Sequence, residues 1–431
     1  MKRLFIFVII IFALLAASCS DIEPPADNGG EKTGNGASVP PDVPVGGDND
    51  DPPENPTAPP LPESEWLTVS AVAVGDNLIH TTLYNQAYAR SSQTGRYDFG
   101  LAYENVRDLI TPFELAMINQ ETLIRNDNHP PSGFPLFNSP KDLGDFILDM
   151  GFNAVNIANN HTLDQGAVGL SSTLDYWRER SDRAVVVGAY RDTEERASFN
   201  RFTEINGVTF SFLGYTQWFN GLSLPAGSPL QVGDYRELNK MLAEIKAAKE
   251  KSDFCVVFLH WGTEDHDRIE AYQREAAQKM IEAGADFIHG THPHVLRDIE
   301  YITRSDGSKG LVAYSLANFI STQVLTQTMI GGVLSFEIAV HRDTRAVQFS
   351  DVLLTPIIMH YENDMARSNA RLYPLSMYTS ELAAGHGINS PAVTGQFGHV
   401  NSEKLTIDYI YSTINRTVSP QWLPDWVVNY N

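Results

Sequence analysis

The sequence predicts an α/β protein whose elements converge on one polar site. Two observations carry this expectation. Short β-rich runs alternate with helical patterns, the order expected when strands and helices are laid down in layers. Six of the seven runs ahead of residue 320 then end by delivering an Asp, Glu, Asn or His, residue types that ligate metals. In α/β sheets the ligand crevice lies outside the carboxyl ends of the strands. One such ending means little, but six in one domain point to a shared site.

The elements follow in chain order. Lys2 and Arg3 precede an unbroken apolar run from Leu4 to Ala17, then Ser18 and Cys19. The run is shorter than the roughly 20 apolar residues that span a bilayer, so 1–19 reads as a secretory signal. Leu15-Ala16-Ala17-Ser18-Cys19 is similar to the lipobox of bacterial lipoproteins, which makes Cys19 the expected lipidation site and the membrane the expected partner. Asp21 to Glu65 holds 11 of the 24 prolines and 11 acidic residues against one lysine. That stretch has too little apolar surface to offset chain entropy, so 20–65 reads as a disordered linker.

The folded part begins near residue 66. β-rich runs are expected at 68–74, 115–118, 153–158, 208–214, 254–260, 286–289 and 311–315. Helical patterns are expected at 141–150, 170–180, 235–250 and 268–283. Between 235 and 250, Leu238, Met241, Leu242 and Ile245 recur at three- and four-residue spacing, which gives a helix one buried face. Runs 332–340 and 346–354 read as a hairpin or edge pair that closes a sheet. The main domain is therefore placed at 66–355. Residues 356–431 form a C-terminal extension expected to pack on it, with Trp422, Trp426 and Tyr430 as candidate contacts.

Composition excludes several classes. A net charge of -22, from 31 basic and 53 acidic residues, argues against nucleic acid as a partner, because affinity for phosphate backbones needs a basic surface. Two cysteines exclude a disulfide-dense scaffold and a four-thiolate zinc site. Cys255 lies in an apolar run and reads as a buried, inert thiol.

The polar endings make a metal inventory. Asp76 and Glu121 supply carboxylates, Asn160 an amide oxygen, and His260, His292 and His294 imidazoles. This mixed oxygen and nitrogen set suits one or two divalent Mn, Fe or Zn ions better than Ca or Mg, which prefer oxygen throughout. His161 beside Asn160 is a candidate proton donor, since imidazole titrates near neutrality. Asp164, three residues on, would orient it. His80, Trp261, Glu264 and Asn318 complete the candidates as substrate contacts. Trp261 reads equally as a packed aromatic, and Glu264 equally as a support for His260 or a solvated side chain. His289 reads as a core histidine or one that supports a ligand.

These motifs together carry a resemblance. Gly75-Asp76, Asn119-Gln120-Glu121, the block from Ala158-Asn159-Asn160-His161 to Gly166, His260-Trp261-Gly262-Thr263-Glu264, His292-Pro293-His294-Val295 and Ser315-Leu316-Ala317-Asn318-Phe319 occur in one order. The series resembles the CapA family of poly-gamma-glutamate capsule synthesis proteins, a branch of the calcineurin-like metallophosphoesterase superfamily, from about Thr68 to Thr322.

The resemblance implies a four-layer α/β/β/α sandwich of metallophosphoesterase type with its metals at the strand ends. It implies that Asp76 and His294 bind one metal, that Asn160, His260 and His292 bind a second, and that Glu121 bridges them. It assigns His161 to protonate a leaving group. The implied role is extracytoplasmic, in capsule or poly-gamma-glutamate synthesis, as a metal-dependent hydrolase acting on an anionic polymer or a phosphoester. The alternative is a non-catalytic accessory that binds, anchors or exports the polymer within a synthesis complex. Three departures stand out. Leu78 takes the place of a superfamily histidine, Glu121 that of a bridging aspartate, and Ala317 that of a glycine. The last is tolerated unless that glycine needs positive φ.

Overall fold

A computed structural model describes residues 65–198, 201–362, 366–395 and 401–430. The signal segment, Cys19 and the linker up to residue 64 lie outside the described residues. Eight strands occupy the first part of the described chain: β1 Trp66–Asn77, β2 Leu115–Asn119, β3 Ala154–Asn156, β4 Val185–Val187, β5 Ala189–Tyr190, β6 Phe202–Ile205, β7 Val208–Thr216 and β8 Gln231–Val232. Eight more come after them: β9 Phe254–His260, β10 Phe287–Thr291, β11 Leu296–Thr303, β12 Lys309–Leu316, β13 Asn318–Ile320, β14 Ile330–His341, β15 Val347–His360 and β16 Arg371–Pro374.

They build two large sheets. The first runs β16-β15-β14-β1-β2-β3-β4, with β13 also paired to β1, and the second runs β11-β12-β10-β9-β7-β6. Strands β1 to β4 are parallel, as are β7, β9, β10 and β12. β14 and β15 form the expected antiparallel pair and extend the first sheet beside β1. β15 runs unbroken through residue 356, where the sequence pattern starts the C-terminal extension.

Side-chain alternation explains the layering. Along β9, Phe254, Val256 and Phe258 enter the large core shared with residues of the first sheet such as Val72 and Met117. Cys255, Val257 and Leu259 point the other way, onto Met241, Ile245, Ala277 and Met280 of helices Leu238–Lys249 and Ala271–Ala283. Helices Lys141–Asp149 and Gly166–Arg178 pack on the first sheet through Leu143, Ile147, Leu170 and Leu174. The result is a four-layer α/β/β/α sandwich. Burial of β1 on both faces accounts for its apolar run Val69 to Val74, broken only by Ser70. Cys255 is buried, and that burial pushes its thiol up to about 12.

Boundaries moved where local chemistry outranked periodicity. The helix expected from residue 268 starts at Ala271, because Glu270 and Gln273 close a reciprocal capping box there. It ends at Gly284, whose φ of 118° suits only glycine. β11 has no counterpart among the expected runs. Arg297 and Asp298 interrupt its apolar pattern, yet Arg297 is buried with its guanidinium on Gln273 Oε1 at 2.5 Å and the Thr263 carbonyl at 3.0 Å. The C-terminal segment packs on the same body: Trp422 Nε1 donates to the Ile299 carbonyl at 2.7 Å, and Ser419 binds Asp298. Among the described residues no helix is long and apolar enough to cross a membrane.

Candidate metal centre

The site is built from a break in β1. Its ladder with β2 pairs Ala73 with Met117 and then Asp76 with Asn119, so β1 carries one extra residue between them. Such a bulge twists the strand and re-aims the side chains beyond it. It also frees the Val74 carbonyl, which His289 Nε2 satisfies at 2.7 Å from the facing sheet. A carbonyl accepts only, so His289 donates and holds the two sheets together below the site.

Gly75 fits because the Ala317 carbonyl passes close by. A Cβ at position 75 would lie 1.8 Å from that oxygen. The same carbonyl accepts the Asp76 amide at 2.9 Å. Ala317 reaches this pose at φ 61°, so the departure from glycine does fall where positive φ is required. His292 and His294 also have positive φ, 98° and 59°. Three non-glycine residues in the left-handed region around one crevice mark a backbone held by its surroundings.

Two groups of donors meet there. Asp76 Oδ2 lies 3.4 Å from His294 Nδ1. His260 Nε2 lies 3.0 Å from both Asn160 Oδ1 and His292 Nδ1. Glu121 Oε1 sits between them, 3.6 Å from His260 Nε2 and 3.9 Å from His294 Nε2. All six side chains are buried. The ligand atoms of Asp76, Glu121 and His294 fall within 4.8 Å of one another, a spacing at which they could hold one metal ion.

Electrostatics argue for a cation. Neither carboxylate oxygen of Glu121 has a hydrogen-bond partner among the described residues, although both are buried. Burial, and next the nearby Asp76, push its carboxyl well above the ordinary range. An uncompensated buried carboxylate is costly, and a cation offsets that cost. Burial depresses the His294 imidazole, but Glu121 and Asp76 outweigh it and lift it to about 10, so this corner draws positive charge. His260 and His292 are held well below their usual value, first by burial and then by neighbouring imidazoles. They remain neutral, with lone pairs suited to ligation. The donor set fits a divalent ion.

Supporting residues orient the ligands. Asn156 Nδ2 donates to Asn119 Oδ1 at 2.8 Å, and Asn119 Nδ2 donates to Asp76 Oδ1 at 2.7 Å. The His292 amide donates to Asp76 Oδ2 at 3.1 Å. Thr291 Oγ1 lies 3.0 Å from His260 Nδ1. His294 Nδ1 donates to Asn318 Oδ1 at 3.0 Å, which frees Nε2 to face Glu121. Sequence reasoning quoted Asn119 beside Glu121 without giving it a role, and missed Asn156 and Thr291. The available signal was a polar residue inside or ending an otherwise apolar strand, since buried amides need fixed partners.

His161 flanks the cluster. Its Nδ1 donates to Asp164 Oδ2 at 2.8 Å, and the same oxygen accepts the Phe137 amide at 2.7 Å. The Phe137 ring meets His161 edge-on at 4.7 Å and His80 at 5.4 Å. His80 thus stands behind Phe137, where its Nδ1 accepts the Thr322 amide at 3.4 Å, and it does not join the ligands. Leu78 is buried. Trp261 points away from the crevice into the helix-side core, stacked on Tyr314 at 5.9 Å. Glu264 is half exposed, and its Oε1 lies 4.0 Å from His292 Nδ1.

Comparisons with known proteins place the chain in a family. Residues 70–323, more than half of the chain, match the family model described as bacterial capsule synthesis protein PGA_cap. The PGA biosynthesis protein CapA of Bacillus subtilis is 32% identical over 194 residues, covering 44% of this chain and 48% of that protein. The capsule biosynthesis protein CapA of Bacillus anthracis is 30% identical over 198 residues, covering 44% and 46%. The chain therefore spans about half the length of these relatives. A phosphatase from Mycoplasma pneumoniae superposes with a TM-score of 0.38 at 13% identity, covering 67% of this chain and 94% of that one. With most of its two-sheet core inside the matched residues, this chain belongs to the bacterial capsule synthesis protein PGA_cap family.

Proposed function

We propose that this chain is an extracytoplasmic metal-dependent hydrolase of capsule or envelope synthesis, acting on a phosphoester or related ester. The reading rests above all on Glu121, a buried carboxylate with no hydrogen-bond partner among the described residues, set between Asp76 and His294 on one side and Asn160, His260 and His292 on the other. Asp76 and His294 would hold one ion, Asn160, His260 and His292 a second, and Glu121 would reach both. A bound Mn, Fe or Zn ion supplies Lewis acidity, which acidifies water and polarises an ester oxygen.

The chain's own residues do the rest. Asp164 holds the Nδ1 proton of His161 in a hydrogen bond, so the ring acts as an acid only when Nε2 is protonated as well, and that Nε2 proton is the one passed to the leaving oxygen. Phe137 packs edge-on against that imidazole and keeps water from one side. Lipidated Cys19 would tether the domain to the membrane through the acidic linker, beside the other proteins of capsule synthesis.

The test is metal analysis of the purified full chain after reconstitution with Mn, Fe or Zn. It is joined to a turnover screen of phosphomonoesters, phosphodiesters and gamma-linked glutamate oligomers. One or two ions per chain and chelator-sensitive hydrolysis are expected, with His292→Ala losing metal. Polymer binding without metal and without turnover would favour the accessory role instead.

A further inference from the structure

We propose that the cleft beside His292 binds a neutral saccharide portion of the substrate, with the indole of Trp218 as the surface on which a sugar ring stacks. This rests on reading the adjacent metal centre as the hydrolytic site. The cleft has a volume of about 660 Å³ and is lined by Trp218, Phe219, Asn220, Leu222, Glu264 and His292, among others. It therefore opens directly onto a candidate ligand.

Its wall is preformed. The Gln217 amide donates to the His260 carbonyl at 2.9 Å, so the segment hangs from the end of a ligand-bearing strand. Asn220 and Gly221 have φ of 50° and 75°, and the Leu222 amide returns to the Phe219 carbonyl at 2.8 Å. Consecutive positive φ values at an Asn-Gly pair give a tight turn at little cost. Asn160 Nδ2 lies 3.4 Å from Asn220 Oδ1, linking the turn to the cluster. Trp218 Nε1 donates to the Gly262 carbonyl at 2.9 Å, which pins the ring, yet the residue stays 45% exposed. An indole held in one pose with its surface open to a cleft is a platform that loses little entropy on binding.

Charge selects the ligand class. Among the described residues, Arg236 is the one Arg or Lys lining the cleft. Its guanidinium is already committed to Asp234, with contacts of 2.6 to 3.0 Å, and lies over the Phe219 ring at 5.3 Å. Glu264 adds an exposed carboxylate to the lining. The described lining thus offers a polyanion one arginine, paired with Asp234, and no lysine, which disfavours a polycarboxylate chain in this cleft. An aromatic surface beside a carboxylate and an amide suits a ring with an apolar face and hydroxyl edges, the chemistry of a saccharide.

The test titrates the full-length chain with chitotetraose, cellotetraose, maltotetraose, a gamma-linked glutamate pentamer and adenosine, read by calorimetry and tryptophan fluorescence. At least one neutral oligosaccharide is expected to bind, about tenfold more weakly to Trp218→Ala and within about threefold of the parent affinity to Trp218→Phe. Tighter binding of the glutamate pentamer or adenosine than of every saccharide overturns the inference. So does absence of saccharide binding, or equal affinity in folded Trp218→Ala, checked by circular dichroism. Metal content is measured in parallel. Saccharide binding without metal overturns the hydrolase reading alone, while metal with turnover but no saccharide binding overturns this inference alone.

Discussion

The Ala317 carbonyl receives the Asp76 amide at 2.9 Å, and this contact sets how the first carboxylate of the site is presented. It exists because Ala317 adopts φ 61° and because residue 75 has no side chain. Two substitutions separate these causes. Ala317→Gly should stabilise the protein by about 1 kcal/mol by relieving the left-handed strain, with metal content unchanged. Gly75→Ala should lose metal and several degrees of melting temperature, because its Cβ collides with backbone rather than a movable side chain. Thermal melts and metal analysis of both variants check this, and equal behaviour of Gly75→Ala and the parent would refute it.

Glu121 shows the opposition between stability and ligation. Its buried, unpartnered carboxylate makes the metal-free protein less stable than a neutral isostere would. Glu121→Gln should therefore raise the stability of the metal-free protein by about 1–3 kcal/mol and lower its metal affinity. Chelator-treated and metal-loaded melts measure the two effects in one experiment. A variant less stable in both states would count against the assignment.

The Asp164–His161 pair is separable by leaving group. An activated phenolate leaves without a proton, whereas an alkoxide needs one. Asp164→Asn and His161→Ala should retain most turnover of a nitrophenyl ester and lose roughly 10²–10⁴-fold on an alkyl ester. Equal losses on both substrates would mean that the pair acts only on structure.

Acid should weaken the C-terminal segment through His386. Its Nδ1 accepts the Ile388 amide at 2.8 Å and its Nε2 donates to the Met359 carbonyl at 2.9 Å. Burial, and then the neighbouring His360, hold it down to about 3 from an ordinary 6.5. The unfolded chain therefore binds the extra proton first, and stability present above pH 6.5 is lost as pH falls toward 3. The slope approaches about 1.4 kcal/mol per pH unit. Other buried histidines held low, among them His80, His289 and His360, add slope of the same sign. Denaturant melts from about pH 7 to about pH 4 should therefore fall more steeply than this, and His386→Gln should reduce the slope by up to this amount.

The ligand inventory was legible in the sequence because it obeys a local rule. Asp76, Glu121, Asn160, His260, His292 and His294 each come just after a recognisable β-run or close one, and strand ends in an α/β protein face one crevice. The same rule left Trp261 open between a substrate contact and a packed aromatic. It is the neighbour of His260, but successive strand residues point to opposite faces, so it entered the helix-side core. The bulge in β1, the His289 strut and the isolation of Glu121 have no local signature. They depend on which atoms lie opposite one another after two sheets pack, a matter of distance across the fold. Residue type and order along the chain thus determined what chemistry was on offer. Only the packing of one sheet on the other decided which side chains share a charge, which are left unpaired, and that Trp218 faces an open cleft.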